Sequence, residues 1–192
     1  SLMEPLIKRL VTEFAGKKLF SEDIPRIPYV EAMERFGTDK PDLRFSMELI
    51  ELSDVFVGSE FGVFKNAVAN GGAVKALCVK GGASLTRSQI DTFTEIAKSE
   101  GAGGLAYLVY KDGGVQSPIA KFMNETELSE VKNRSQAEDG DAVFFGADTR
   151  GTVNKVLGKL RSEFADHLNL KDENTVALCW IVDFPFYERD DK

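Results

Sequence analysis

The sequence predicts an α+β domain, a two-layer sandwich in which a mostly antiparallel sheet carries its helices on one face. Short apolar runs rich in β-forming residues alternate with long segments of helical periodicity. Their order leaves too few crossover connections for a fully parallel sheet. A length of 192 residues suits one ordinary domain, or one domain with pieces of another.

The first 50 residues are predicted to contain two helices. Residues 4–15 carry apolar side chains at helical spacing, and Gly16 supplies the stop. Two prolines exclude a helix interior from residues 23–28. The second helix is predicted for residues 28–36, with proline at its start and Gly37 at its end.

The pattern changes to strands between residues 54 and 80. Short apolar runs predict strands at 55–57, 62–64 and 73–79. In the last run, Val74, Ala76 and Cys78 alternate with Lys75, Leu77 and Val79, so the two sets are expected on opposite faces. The glycine-rich sequence at 70–72 is interpreted as a turn between two strands.

The best local signal lies at residues 86–100, which are predicted to form a helix. Thr86 and Gln89 have the spacing of a capping box, and Gly101 follows the last turn. The other predicted elements are strands at 105–110, 142–145 and 175–182, one or two short helices over 118–123 and 125–131, and a last helix at 152–168.

Charge and cysteine content restrict the possible functions. The net charge of −7 lacks the positive excess of a free-standing nucleic-acid binder, so contact with RNA would be local or assisted by a larger protein. No apolar run of about 18 residues predicts a membrane span, and a cytoplasmic location is expected. Cys78 and Cys179 lack CxxC spacing, so two buried thiols are favoured over a disulfide or a zinc site. A lone histidine, His167, cannot supply a metal cluster.

Basic residues near helix starts are the candidates for contact with an anion or an RNA phosphate. They are Arg87, Arg150 and Lys155, and Arg150 stands where the last helix opens. Lys155, Lys159 and Arg161 form a modest basic strip on that helix. Helix capping and an ordinary polar face are the alternative interpretations of these residues.

Three stretches resemble bacterial-type aspartyl-tRNA synthetases. Residues 26–44, from Arg-Ile-Pro-Tyr to Lys-Pro-Asp-Leu-Arg, resemble the segment after class II motif 2. Residues 79–91 and 144–148 resemble the family's insertion domain, which is called the GAD domain. Residues 180–185, Trp-Ile-Val-Asp-Phe-Pro, resemble the strand where the chain re-enters the catalytic domain. The order and spacing fit nearly the whole chain.

The resemblance implies a β-β-α-β-β-α GAD fold and three parts. Residues 1–50 would be a catalytic-domain segment, of which residues 1–3 are interpreted as a cloning remnant. Residues 51–172 would be the GAD insertion domain, and residues 173–192 the return strand. The family signature Asp39, Lys40, Pro41, Asp42 and Arg44 is expected to support the junction between these parts.

For function, the resemblance implies a homodimeric full-length enzyme that uses ATP and Mg²⁺ to activate aspartate and transfers it to tRNA(Asp). The motif 2 and motif 3 patterns, Phe-Arg-x-Glu and Gly-x-Gly-x-Gly-x-x-Arg, do not occur here. No catalytic, cofactor-binding or metal residue is therefore transferred to this chain, which is expected to be an inactive monomer. The alternative is a GAD-type tRNA-binding module of a tRNA-dependent amidotransferase subunit, which the flanks at 26–44 and 180–185 disfavour.

Overall fold

The computed structural model describes residues 3–187, in which the chain forms six α-helices and nine strands. Ser1, Leu2 and residues 188–192 lie outside the described part. The helices are α1 Met3–Arg9, α2 Tyr29–Phe36, α3 Gly62–Ala69, α4 Arg87–Ser99, α5 Glu125–Ser135 and α6 Arg150–His167. The strands are β1 Lys18–Leu19, β2 Arg26–Pro28, β3 Leu49–Glu51, β4 Ala73–Val79, β5 Ala106–Lys111, β6 Gly114–Gln116, β7 Ala142–Asp148, β8 Thr175–Val176 and β9 Trp180–Val182.

The central sheet has five strands in the order β3-β4-β7-β5-β6, and every neighbouring pair is antiparallel. Its longest ladder joins β4 and β7 from Ala73 opposite Asp148 to Val79 opposite Ala142. The two ends of the chain meet outside this sheet, where β1 pairs with β8 and β2 with β9, both parallel. The predicted α+β class with a mostly antiparallel sheet is confirmed.

Helices α4 and α6 cover one face of this sheet. Phe164 of α6 packs against Phe93 of α4 and Phe144 of β7, with ring centroids 4.2 and 4.6 Å apart. Leu77 and Leu157 are fully buried in the same apolar cluster. These side chains form the larger of two cores.

The opposite face carries a second core, which corrects the prediction that helices lie on one face only. Phe64 of α3 packs against Phe145 of β7 at 5.3 Å and against Phe56 at 4.7 Å. Val131 of α5 and Val74 of β4 are fully buried beside them. The physical reason is that β4 and β7 are apolar on both faces, so both faces must be removed from water.

Two predicted strands are wrong. Residues 55–57 belong mostly to a 3₁₀ turn at Ser53–Phe56, and residues 62–64 begin α3. The carbonyl of Phe61 accepts the first N–H groups of that helix, from Phe64 at 3.0 Å and Lys65 at 3.1 Å. The glycine-rich turn at 70–72 therefore joins a helix to a strand. Apolar runs this short do not separate strand from helix by periodicity.

Several predicted helix starts and ends are confirmed. Thr86 and Gln89 form both hydrogen bonds of the capping box at the start of α4. Gly37 ends α2 in the left-handed conformation, with φ of +69°. The predicted strand at 175–182 is divided into β8 and β9, and the edge strands β3 and β6 carry no signal strong enough to predict them.

Cys78 and Cys179 are both free thiols and are half-buried. Burial raises the pKa of Cys78 to about 11, so this thiol is protonated and unreactive at neutral pH. Over residues 3–187, no helix combines the length and the apolar character needed to cross a membrane.

Replacing Phe64 tests the second core. Phe64→Ala is expected to lower the free energy of unfolding by about 3–5 kcal/mol, because it empties a fully buried aromatic site. The matched control is Val63→Ala on the same helix, where the side chain is 58% exposed and the expected change is below about 0.5 kcal/mol. Equal effects in urea denaturation would contradict the placement of α3.

Candidate functional site

A buried lysine joins the N-terminal flank to the central sheet. Lys75 of β4 is 1% exposed, and its ammonium group donates to the carboxylate of Glu34 in α2 at 2.7 Å. It also donates to the Glu34 carbonyl at 3.1 Å and to Asn154 Oδ1 of α6 at 2.8 Å. All three hydrogen bonds of the ammonium group are therefore made, as burial of a charged amine requires.

Arg150 extends the same network to the edge strand. Its guanidinium contacts the carboxylates of Glu34 at 2.7 Å and Glu51 at 2.9 Å. Burial alone would raise the pKa of Glu34, but the hydrogen bond and charge of Lys75, the charge of Arg150 and a hydrogen bond with Asn154 hold that pKa below its usual value. Glu34 is thus ionised at neutral pH and links three elements.

A second buried cation lies further along α6. Arg161 is 3% exposed and donates to the carbonyl groups of Met47 at 2.5 Å, Asp42 at 2.7 Å and Phe45 at 3.3 Å. Its guanidinium lies 4.2 Å from the ring centroid of Phe45 and 5.0 Å from that of Phe36. Burial lowers the pKa of Arg161 to about 10, so the group stays charged at neutral pH.

The backbones of α2 and α6 touch at two glycines. A Cβ added at Gly37 would lie 2.1 Å from the Asn154 carbonyl oxygen, and one added at Gly158 would lie 2.7 Å from the Gly37 carbonyl oxygen. Only glycine permits this approach. We call the Lys75 network, Arg161 and this glycine contact the junction.

The signature segment at 39–44 lies beside the junction. Pro41 is buried, and Asp42 forms an ion pair with Arg44 at 2.7 Å. The Arg44 hydrogen bond and charge outweigh burial and hold the pKa of Asp42 below its usual value. Arg44 also donates to the Asp172 carbonyl at 3.0 Å, which connects the two ends of the chain.

The three predicted tRNA-contact residues do not form one patch. Arg150 and Lys155 lie in the N-terminal half of α6, whereas Arg87 begins α4 near the other end of α6, where Gln89 contacts His167. An 18-residue helix is about 27 Å long. Lys155 pairs with Glu100 at 3.2 Å.

Arg87 differs from the other two because its charge is free. It is exposed, and no hydrogen bond or ion pair joins it to another residue within 3–187. Arg161, predicted as part of a basic strip, is instead buried and unable to meet a phosphate. Sequence reasoning missed the roles of Glu34 and Asn154. The one indication in the sequence was Lys75, a charged residue within an apolar strand that needs buried partners.

A partly open pocket of about 500 Å³ lies where β7 ends and α6 begins. Its lining includes Phe61, Phe64, Ile119, the loop at 102–105 and Asp148. Among residues 3–187, no cluster of three or more histidine, cysteine, aspartate or glutamate side chains is arranged to hold a metal ion.

Comparison with known proteins gives this fold a family. Residues 64–157 match the GAD domain family. An aspartate–tRNA(Asp/Asn) ligase from Caldanaerobacter subterraneus is 51% identical, with 88% of this chain and 29% of the relative covered. An aspartate–tRNA ligase from Shouchella clausii is 45% identical, with 100% and 33% covered. An aspartate–tRNA(Asp/Asn) ligase from Geotalea uraniireducens is 46% identical, with 100% and 32% covered.

The central unit is therefore a GAD domain, in agreement with its α+β fold. Because the identity extends through both flanks, the chain belongs to the bacterial-type aspartate–tRNA ligase family. It spans about a third of the length of the curated relatives it matches.

Removing Glu34 tests the junction. Glu34→Ala is expected to lower the free energy of unfolding by about 3 kcal/mol, because it leaves the buried Lys75 ammonium without its counter-ion. Glu31→Ala is the matched control on the same helix, since Glu31 forms only an exposed pair with Arg35 and contributes about 0–1 kcal/mol.

The double variant Glu34→Ala with Lys75→Met separates charge burial from simple loss of contacts. It is expected to recover most of the lost stability, because no unpaired charge remains. A double variant as unstable as Glu34→Ala would contradict this account of the junction.

Proposed function

We propose that this chain is the insertion-domain portion of an aspartate–tRNA ligase, together with its catalytic-domain flanks. The full-length enzyme would activate aspartate with ATP and Mg²⁺ and transfer the aspartyl group to tRNA(Asp). Identity of 45–46% that runs through both flanks supports this assignment. It also favours the ligase over the GAD-type module of an amidotransferase subunit.

Within that enzyme, we assign this chain a non-catalytic role as a rigid module next to the bound tRNA. The junction is the observation that carries the assignment. Two buried cations and a glycine contact fix α2, in the N-terminal flank, against the sheet and α6. A module held in this way keeps one orientation and can guide or exclude an RNA chain by its shape.

The division into catalytic segment 1–50, insertion domain 51–172 and return strand 173–192 is part of this proposal. So are a cytoplasmic location and a homodimeric full-length enzyme. None of the residues that would bind ATP or Mg²⁺ is assigned to this chain, and catalysis is assigned to the rest of the enzyme.

The isolated chain is expected to show no aspartate-dependent exchange of pyrophosphate into ATP. The reason is that positioned groups on the α-phosphate and its metal ion supply the rate acceleration, and no such group is assigned here. A full-length relative serves as the positive control, and sedimentation of the same sample is expected to give a monomer. Turnover above a tag-only control would overturn the non-catalytic assignment.

Direct contact with tRNA is the finer part of the proposal, and Arg87 is the best placed of the three basic candidates because its charge is free. Arg150 is neutralised by two carboxylates, and Lys155 by one. If Arg87 contacts a phosphate, the slope of log affinity against log salt concentration becomes steeper by about 1.

Titration with labelled tRNA(Asp) at low and moderate salt tests this contact. Binding is expected to weaken with salt, and Arg87→Ala to reduce the salt slope by about 1. Lys98→Ala is the matched control on the same helix, since Lys98 is already paired with Glu95. Absence of binding at both salt concentrations would refute direct contact and leave a purely structural role for the module.

A further inference from the structure

The pocket between β7 and α6 has one ionisable side chain among the described residues that line it, the carboxylate of Asp148. The remaining walls are largely apolar, with Phe61, Phe64, Ile119, Val153 and Val156 contributing side chains. A volume of about 500 Å³ lies within the range of about 300–1,000 Å³ that small-ligand sites occupy.

Asp148 is not neutralised within the described part of the chain. Its Oδ1 accepts the backbone N–H of Thr149 at 2.6 Å, and no ion pair involves its carboxylate. Arg150 is only two residues away, but its guanidinium is directed to Glu34 and Glu51. A ligand that fits must therefore bring hydrogen-bond donors to the carboxylate and an apolar, flat body to the aromatic wall.

Among the nucleobases, guanine has this arrangement. Its Watson–Crick edge presents two neighbouring donors, N1–H and the exocyclic amine, which can meet the two oxygens of a carboxylate. Adenine and cytosine place an acceptor beside their amine, and uracil places carbonyl groups on both sides of its N–H, so a carboxylate would face an acceptor in each case. An unstacked base also gains from stacking on an aromatic ring such as Phe61.

We propose that this pocket binds an unstacked guanine base, with Asp148 accepting hydrogen bonds from N1–H and the exocyclic amine. Two sources present the same base edge, an unpaired nucleotide of RNA and a free guanine nucleoside. The RNA source rests on the proposed function, whereas binding of the nucleoside does not. Recognition of a neutral base also suits a chain of net charge −7, which attracts phosphate poorly.

Nuclear magnetic resonance titration of the whole chain with nucleosides tests the pocket. Guanosine is expected to shift the amide signals of residues 102–106 and 146–153, whereas adenosine, cytidine and uridine leave them unchanged. Inosine, which keeps N1–H but lacks the exocyclic amine, is expected to bind about tenfold more weakly. Equal shifts with all nucleosides, shifts confined to other residues, or no shifts with guanosine would overturn the proposal.

Two variants assign the effect to named residues. Asp148→Asn keeps an acceptor for the Thr149 N–H and is expected to weaken guanosine binding about tenfold or more. Gly104→Leu is expected to fill the pocket and abolish binding, because Gly104 lines it and an added Cβ meets no atom within 4 Å. Gly58→Leu is the control, since Gly58 is equally open but lies outside the pocket. Unchanged affinity in Asp148→Asn would refute the role of the carboxylate.

The source of the base is decided by RNA hairpins with one unpaired guanine or inosine in the loop. Preference for the guanine hairpin, lost in Asp148→Asn, indicates an RNA base as the ligand. Guanosine binding without hairpin preference indicates the free nucleoside and keeps the pocket assignment even if the chain does not bind tRNA. Binding of neither ligand overturns the pocket but leaves the ligase assignment, which rests on sequence identity, unaffected.

Discussion

The buried ammonium group of Lys75 is the constraint on which the arrangement of this molecule depends. A charged amine without partners in a protein interior costs several kcal/mol, so the fold must bring acceptors to it. Glu34 supplies a carboxylate and a carbonyl, and Asn154 supplies an amide oxygen. These acceptors come from α2 and α6, which fixes both helices against the sheet. Sheet, flank and last helix consequently form one packed unit.

Close backbone contact accompanies the same network. Glu34 of α2 and Asn154 of α6 meet at the same ammonium group, and the backbones of the two helices approach closely where glycine stands at 37 and 158. Arg161 lies further along α6, where its guanidinium donates hydrogen bonds to three carbonyl groups and not to an acid. Carbonyl partners orient the backbone of residues 42–47 directly. The flank is thereby held by its main chain as well as by ion pairs.

How much of this could be predicted depends on whether the controlling interaction is local. The capping box of α4 involves residues three apart, and the alternation along β4 correctly assigned Lys75 to the face of Leu77 and Val79. The partner of Lys75 is 41 residues away, and that of Arg161 more than 110 residues away. No pattern in a single sequence relates such positions. The error at residues 55–64 has a different origin, because three apolar residues fit a helix and a strand equally well.

The same ion pairs limit how this module would take part in the RNA recognition proposed for it. Lys75, Arg150 and Arg161 are positive charges that the fold uses internally, and Lys155 and Lys159 are balanced by neighbouring acids. The long-range field of the chain is therefore negative, so any attraction of phosphates by this chain is confined to local contacts such as Arg87. A rigid, acidic module can still discriminate between RNA chains through contacts of short range, such as stacking and hydrogen bonds to a base edge. Because contact with a neutral base releases no counterions from phosphates, its specificity is largely independent of salt, whereas a contribution from Arg87 would decline as salt rises.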